Sequence, residues 1–186
     1  MGNSIYRQLL EAAQKDDVES ARRMLQKGIN IDDVIEGKTA IMYACEKGSV
    51  KVFRLLLSRK VNVNFQDKDG KTALHYASLS KSSECVEAIL MKEAIVDMKD
   101  RDGKTPFMYA VIQNDLKSLD ILLKAKADIN FKDKLGKTPL HYAVRPSKPT
   151  EALLAKVGGI IHGAIHFDHS GRTYDVNVID KKRSKY

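Results

Sequence analysis

Short apolar stretches recur along the chain in pairs, and polar segments rich in lysine, aspartate and glycine separate them. The second stretch of each pair carries an apolar triplet, at residues 55–57, 88–90 and 121–123. Stretches of this length with one apolar side are typical of short helices that bury one face. The pattern predicts helix pairs at residues 39–46 and 50–57, at 72–79 and 83–91, and at 105–113 and 116–124. A similar pair is predicted nearer the N-terminus.

An eight-residue motif stands at the start of each of the three central pairs and occurs a fourth time at residues 136–143. Gly37, Gly70, Gly103 and Gly136 stand 33 residues apart, and each begins a Gly-Lys-Thr sequence that ends in Tyr-Ala. The glycine suits a tight turn that needs positive φ. We expect the threonine to be a helix N-cap whose hydroxyl accepts a hydrogen bond from the first turn. Proline follows the threonine in the last two copies, where it suits the first helical position.

This period, with its Thr-Pro-Leu-His-x-Ala core, resembles the ankyrin repeat. The resemblance implies an all-α solenoid of helix-turn-helix repeats with β-hairpin fingers, about four good repeats and a divergent C-terminal cap. It places a capping repeat at residues 1–33, repeats at 34–66, 67–99 and 100–132, the divergent cap at 133–178 and a basic tail at 179–186. Within the cap, residues 163–173 look like another finger and 174–176 like the start of a helix. In the family, the motif histidine bridges repeats through hydrogen bonds, which implies a structural role for His75 and His141.

Several turn positions depart from the family pattern. The glycine usual after the second helix is replaced by Lys60, Glu93 and Lys126, and the glycine between helices by Lys81 and Asn114. A residue with a side chain costs roughly 1 kcal/mol in left-handed backbone. We therefore expect the array to be less stable than a consensus array, with the turn at Lys81 its looser point.

The two cysteines, Cys45 and Cys85, have no partner spacing and fall on predicted helices, which favours a reducing compartment. The N-terminal stretch lacks the apolar core of a signal peptide, and no apolar run has the length of a membrane span. We expect a cytoplasmic protein, with the nucleus as a second location if the basic residues at 181–185 act as an import signal. A solvated chain end is the commoner meaning of such a basic stretch.

The sequence carries no enzyme signature. It has no glycine-rich phosphate loop, nucleophile elbow or paired carboxylates, and we expect no catalysis and no cofactor. His162, His166 and His169 form a small cluster with Asp168, and on a helix they could share a metal ion. Because three glycines nearby argue against a helix, we expect no metal site, and a metal-binding protein remains the remote alternative.

The formal net charge is +8. A basic protein attracts acidic partners, although lysines on a solenoid also serve solubility. The resemblance implies binding through the concave face, formed by the fingers and the first helix of each repeat. Carried onto this chain, the family's contact positions give a set of candidate partner-binding residues. They are Ile35, Lys38, Glu46, Lys68, Lys71, Leu79, Lys99, Arg101, Lys104, Ile112, Gln113, Lys132, Lys134, Leu135, Lys137 and Arg145.

Two features of this set suggest a function. Cations outnumber carboxylates, and Leu79 and Ile112 occupy equivalent places in adjacent repeats, as an apolar pair inside a charged rim. We predict a monomeric protein-protein interaction scaffold or adaptor that binds a partner of acidic or mixed surface, as a regulator or inhibitor. The alternative is nucleic-acid or anionic-lipid binding through the basic fingers, which the lack of aromatic residues for base stacking disfavours.

Overall fold

The computed structural model of the protein describes residues 2–143, 165–167 and 173–175. The helices are α1 (Gly2–Lys15), α2 (Val18–Gln26), α3 (Ala40–Lys47), α4 (Val50–Leu57), α5 (Ala73–Leu79), α6 (Ser83–Leu90), α7 (Pro106–Ile112), α8 (Leu116–Lys124) and α9 (Pro139–Tyr142). Two strands follow, β1 (Ile165–Phe167) and β2 (Thr173–Asp175). The six helices predicted between residues 39 and 124 are confirmed, with ends that differ by one residue at most.

The helices stack in two rows. The first helices of successive repeats, α1, α3, α5, α7 and α9, pack against one another, and the second helices, α2, α4, α6 and α8, form a row behind them. Each first helix from α1 to α7 also packs against the second helix of its own repeat. This arrangement confirms the predicted all-α solenoid, in which each repeat buries its apolar faces against its neighbours.

The core is a continuous stripe between the two rows. Its largest fully buried side chains include Phe53 and Leu56 of α4, Ile89 of α6, Phe107 of α7 and Leu122 of α8. The core of the array therefore comes from the apolar faces of both helix rows, as the sequence pattern predicted.

The threonine caps differ from repeat to repeat. The hydroxyl of Thr105 accepts the backbone N–H of Met108 at 3.4 Å, and Thr72 forms a capping box with His75. Thr39 has the extended backbone of an N-cap, but its buried hydroxyl finds no hydrogen-bond partner among the described residues. The expected cap bond is therefore not formed in the first copy of the motif, although the helix still begins at the following residue.

Left-handed backbone occurs at four of the five departures from glycine. φ is +58° at Lys81 and Glu93, +52° at Asn114 and +63° at Lys126. Lys60 does not have positive φ, so no left-handed cost applies there. Helices α4 and α6 both end in a right-handed C-cap, Ser58 and Met91, so the two exits differ at Lys60 itself.

Strands β1 and β2 pair antiparallel, with Ile165 opposite Asp175 and Phe167 opposite Thr173. The expectation of a helix start at 174–176 is therefore wrong for Tyr174 and Asp175. The physical reason is the pairing itself, since the backbone groups of this segment are directed across the ladder and Thr and Tyr favour strands. The remainder of the predicted cap beyond residue 143, and the tail at 179–186, lie outside the described residues.

None of the helices in the described ranges is both long enough and apolar enough to cross a membrane.

Candidate protein-binding face

Four loops project from the array ahead of its first helices, and we call them finger 1 (residues 33–38), finger 2 (66–71), finger 3 (99–104) and finger 4 (132–137). In finger 2, a carboxylate oxygen of Asp67 accepts the backbone N–H groups of Asp69 and Lys71, both at 2.8 Å. The Asp67 N–H in turn donates to the Lys71 carbonyl at 2.9 Å. Equivalent bonds form around Asp100 in finger 3 and Asp133 in finger 4.

The second oxygen of each aspartate fastens the finger to the first helix of its own repeat. The hydroxyl of Tyr76 donates to Asp67 at 2.5 Å and that of Tyr109 to Asp100 at 2.6 Å, and Tyr142 makes the same bond to Asp133. Burial and the neighbouring carboxylate raise the pKa of Tyr76 and Tyr109 far above the ordinary value. Each phenol therefore stays protonated and remains a donor.

Neighbouring fingers are joined through their backbones. The N–H of Arg101 donates to the carbonyl of Asp69, and the N–H of Lys134 donates to that of Asp102, both at 2.8 Å. Gly70 has a φ of +77°, and a Cβ there would lie 2.8 Å from the Arg101 nitrogen. Glycine is thus required in finger 2 both by the turn and by the close approach of finger 3.

His75 links two repeats, as the family resemblance implied. Its Nδ1 accepts the N–H of Thr72 at 3.0 Å, and its Nε2 lies 3.1 Å from the carbonyl oxygen of Lys104. Nε2 must therefore carry the proton, which fixes the tautomer. Burial lowers the pKa of His75, so the ring is neutral at physiological pH. His141 makes the corresponding bonds to Thr138 but is exposed.

Finger 1 is built differently. It has Val34 where the other fingers have aspartate, and its turn is a two-residue hairpin with φ of +54° at Glu36 and +83° at Gly37. Ile35 and Lys38 exchange backbone bonds of 3.1 Å. Among the described residues, no backbone hydrogen bond joins finger 1 to finger 2.

The lysines that follow the first three finger glycines are held between finger and helix. The ammonium of Lys38 donates to Glu46 at 2.8 Å and lies 4.4 Å from the centre of the Tyr76 ring. Lys71 and Lys104 lie 5.9 Å from the rings of Tyr109 and Tyr142. The side chains of these three lysines are each about one-fifth exposed. They stabilise contacts between repeats, and only part of their charge is presented to solvent.

We call the surface between the fingers and the C-terminal ends of the first helices the groove, and these helix ends form its floor. Glu46 lies at one such end. Because Lys38 reaches Glu46 at the end of α3, the equivalent ends of α5 and α7 face the groove in the same way. Leu79 is half-buried there, and Ile112 is 40% exposed. Helices α5 and α7 contain no carboxylate or basic cation. The floor is therefore neutral and partly apolar in the second half of the array.

The formal charge of the fingers rises along the array. It is −1 for finger 1, with Asp33, Glu36 and Lys38, and zero for finger 2. It is +1 for finger 3 and +2 for finger 4, where Leu135 replaces the second carboxylate. The net positive charge of the candidate face is thus concentrated at its C-terminal end. Counting charge finger by finger would have found this in the sequence.

A family model described as ankyrin repeats, three copies, matches residues 9–100 and 93–160. The chain is an ankyrin-repeat protein. Ankyrin repeats are generally protein-protein interaction modules, and the family is typically non-enzymatic. A comparison with curated proteins found no match.

The candidate residues fall into three groups according to their exposure in the ankyrin array. Those held partly within it are Ile35, Lys38, Glu46, Lys71, Leu79, Lys104 and Gln113. Those exposed on the fingers or helix ends are Lys68, Lys99, Arg101, Ile112, Lys132, Lys134, Leu135 and Lys137. Arg145 lies outside the described residues. The candidate list omitted Val34, an apolar side chain of finger 1 that is 42% exposed.

No group of three or more His, Cys, Asp or Glu residues that could hold a metal ion occurs in the described parts of the ankyrin chain. Of the histidine cluster, His166 lies in strand β1, which agrees with the expectation that this segment is not helical. His162, His169 and Asp168 lie outside the described residues.

Proposed function

We propose that this ankyrin array is a non-enzymatic scaffold that binds a partner protein of acidic or mixed surface through its concave face, as an adaptor, regulator or inhibitor. The observation that carries the proposal is the apolar pair on the groove floor. Leu79 and Ile112 lie at equivalent helix ends, between fingers that carry exposed cations. Apolar anchors within a charged rim are a frequent composition of protein-protein hot spots.

The proposal includes a reducing compartment, the cytoplasm or the nucleus, and a monomeric array. Cys45 and Cys85 are both free thiols with no exposed surface. Burial raises the pKa of Cys45 well above the ordinary value, so this thiol stays protonated and unreactive. Thiols that pack as small apolar residues are the usual form of cysteine in intracellular proteins.

The test is capture of proteins from host-cell lysate by the intact chain and by a double variant, Leu79→Asp with Ile112→Asp. A matched control is Met91→Asp with Ile95→Asp, because these residues are 74% and 56% exposed, at the end of α6 and in the loop that follows it. The control variant also gains two carboxylates, but it carries them on the row of second helices and not in the groove. We expect the groove variant to lose the captured partner and the control to retain it.

Circular dichroism of both variants checks that the array remains folded. Capture that survives the groove substitutions unchanged would refute the concave face as the binding site. Capture that disappears as salt is raised, and that ignores the groove substitutions, would favour the competing function, nucleic-acid or anionic-lipid binding through the lysines.

A further inference from the structure

The two halves of the groove differ in how their charges are compensated. In the first half, Lys38 is paired with Glu46 at 2.8 Å, and the hydroxyl of Tyr43 lies 3.4 Å from the carboxylate of Glu36. In the second half, Leu79 and Ile112 occupy the place of Glu46. Lys38 is therefore neutralised by a carboxylate at the end of the neighbouring first helix, whereas the ends of α5 and α7 offer no such carboxylate to the cations of the second half.

The fingertip cations of the second half are available for a ligand. Arg101, Lys132 and Lys134 are exposed, and none forms an ion pair within residues 2–143. The exposed carboxylate of finger 3 belongs to Asp102. It accepts a hydrogen bond from Lys104, which lowers the pKa of Asp102. This carboxylate is therefore already paired with a lysine of its own finger. The backbone hydrogen bond from the Lys134 N–H to the Asp102 carbonyl joins finger 4 to finger 3 and fixes the backbone positions of these cations relative to one another.

We propose that fingers 3 and 4 bind an extended acidic segment of a partner protein, whose carboxylates pair with Arg101, Lys132 and Lys134 while an apolar side chain packs on Ile112. The inference rests on the proposed function, since it names the kind of partner that the same face takes. The chain's own basic stretch at 181–185 carries the same sign as these fingers, so charge repulsion excludes it as the occupant.

The chemistry of the surface favours a peptide over a nucleic acid. Nucleic-acid single strands need exposed aromatic rings on which bases stack. The finger-side rings of Tyr76 and Tyr109 are buried, with 4% and 9% exposure, and lysine ammonium groups lie over them. The exposed large apolar residues of the described chain are all aliphatic. An aliphatic floor suits a leucine or isoleucine side chain.

The length of the segment follows from the repeat. Packed helices lie about 8–10 Å apart, and an extended peptide advances about 3.3 Å per residue. A probe of about twelve residues is therefore long enough to cross fingers 2 to 4. We would use a fluorescein-labelled peptide of repeated Glu-Glu-Leu and measure its binding to the full chain by fluorescence anisotropy.

The deciding variant is Lys132→Glu with Lys134→Glu, which leaves the backbone N–H that joins finger 4 to finger 3 in place. Its matched control is Lys51→Glu with Lys117→Glu, which makes the same change in net charge at exposed positions of α4 and α8, in the row of second helices. We expect the peptide to bind the finger variant at least about tenfold more weakly and the control within about twofold, because local charge complementarity outweighs net charge. Ile112→Ala should weaken binding several-fold.

Three outcomes would overturn the inference. They are failure of the acidic peptide to bind, an equal loss in both charge variants, and tighter binding of a labelled single-stranded oligonucleotide with the same dependence on finger 4. If the peptide fails while lysate capture still depends on Leu79 and Ile112, the proposed function stands and this inference falls. Loss of that dependence would refute the proposed function itself.

Discussion

Finger 1 and finger 2 precede equivalent first helices, yet they are held by different interactions. Finger 2 has a buried aspartate at its base, a three-residue loop and a backbone bond to the next finger. Finger 1 has Val34 at the position of that aspartate, and its turn has two residues, both in left-handed backbone. Among the described residues, no backbone hydrogen bond joins finger 1 to the next finger. The octapeptide that follows is nearly the same in both. The comparison shows that the shared octapeptide alone does not determine how a finger is built.

The spacing of the helices agrees with this difference. Gly37 follows the start of α2 by 19 residues, whereas Gly70 follows the start of α4 by 20, as Gly103 follows α6 and Gly136 follows α8. One residue is therefore missing between α2 and Gly37, and the turn of finger 1, which is one residue shorter than the loop of finger 2, accounts for it. A shorter loop and a missing aspartate are two parts of one change, because a two-residue hairpin closes through its own backbone and needs no carboxylate to hold it.

Removing the aspartate should have the largest effect. Asp100 is 6% exposed and accepts the N–H groups of Asp102 and Lys104 and the hydroxyl of Tyr109. Asp100→Ala leaves these donors without their acceptor, and we expect it to lower the free energy of unfolding by about 2–4 kcal/mol. Val34→Ala at finger 1 should change it by less than about 0.5 kcal/mol. Urea unfolding followed by circular dichroism measures both, and equal losses would show that the two fingers are held alike.

The second largest difference is expected between alanine substitutions at the finger glycines Gly70 and Gly37. A Cβ at Gly70 would meet the backbone nitrogen of Arg101 at 2.8 Å, whereas at Gly37 it would meet only the flexible side chain of Lys68 at 3.4 Å. Both have positive φ, so each alanine substitution costs about 1 kcal/mol in backbone strain. We expect Gly70→Ala to cost about 2–3 kcal/mol in total, because finger 3 must also shift. Equal unfolding midpoints for the two variants would contradict the tight contact between fingers 2 and 3.

Acid should weaken the repeat of finger 2 and spare that of finger 1, where Met42 replaces the buried histidine. The pKa of His75 is lowered by burial, so the unfolded chain binds a proton more readily than the folded one. Its stabilising contribution is complete above the ordinary value of about 6.5 and decreases as the pH falls towards the folded value. Between pH 7.5 and 5.5 we expect the native chain to lose more of its free energy of unfolding than His75→Gln does. Parallel stability-pH curves would refute this.

The smallest effect is expected from improving finger 1. Glu36 occupies left-handed backbone before Gly37, and Asn-Gly is the favoured pair in such a turn. Glu36→Asn should raise stability by about 0.5 kcal/mol, visible as a small rise in the midpoint of thermal unfolding. Asp69→Asn at the equivalent place in finger 2 should give no rise, because that residue does not have positive φ. A rise at both positions would mean that charge removal, and not turn geometry, is responsible.

The sequence predicted the repeats well because helix periodicity, capping threonines and turn glycines all have local causes. Helices α3 to α8 followed from such rules. The Thr39 hydroxyl, which lacks a partner among the described residues, and the strand at Tyr174 could not be predicted in this way, because each depends on what neighbouring segments supply.

The candidate site was only partly predictable. The family pattern marked Lys38, Lys71 and Lys104 as contact positions, but the distances between these lysines and the tyrosines of neighbouring repeats require coordinates. The floor position of Ile112 was inferred from its register and is 40% exposed in the structure. The exposure of a side chain at this position depends on how the neighbouring repeats pack against it. The place of the residue within the repeat does not determine that packing.

The backbone bonds between fingers also constrain how such a chain can change length during evolution. Arg101 and Lys134 each bond to the residue 32 positions earlier, so the register between these fingers is fixed. An insertion or deletion of a few residues between fingers 2 and 4 would break it, whereas duplication of a whole repeat would preserve it and lengthen the row by one finger. The single missing residue lies in finger 1, which has no such bond to finger 2 among the described residues. Small length changes are thus expected to accumulate at the N-terminal end of the array, and growth by whole repeats in its middle.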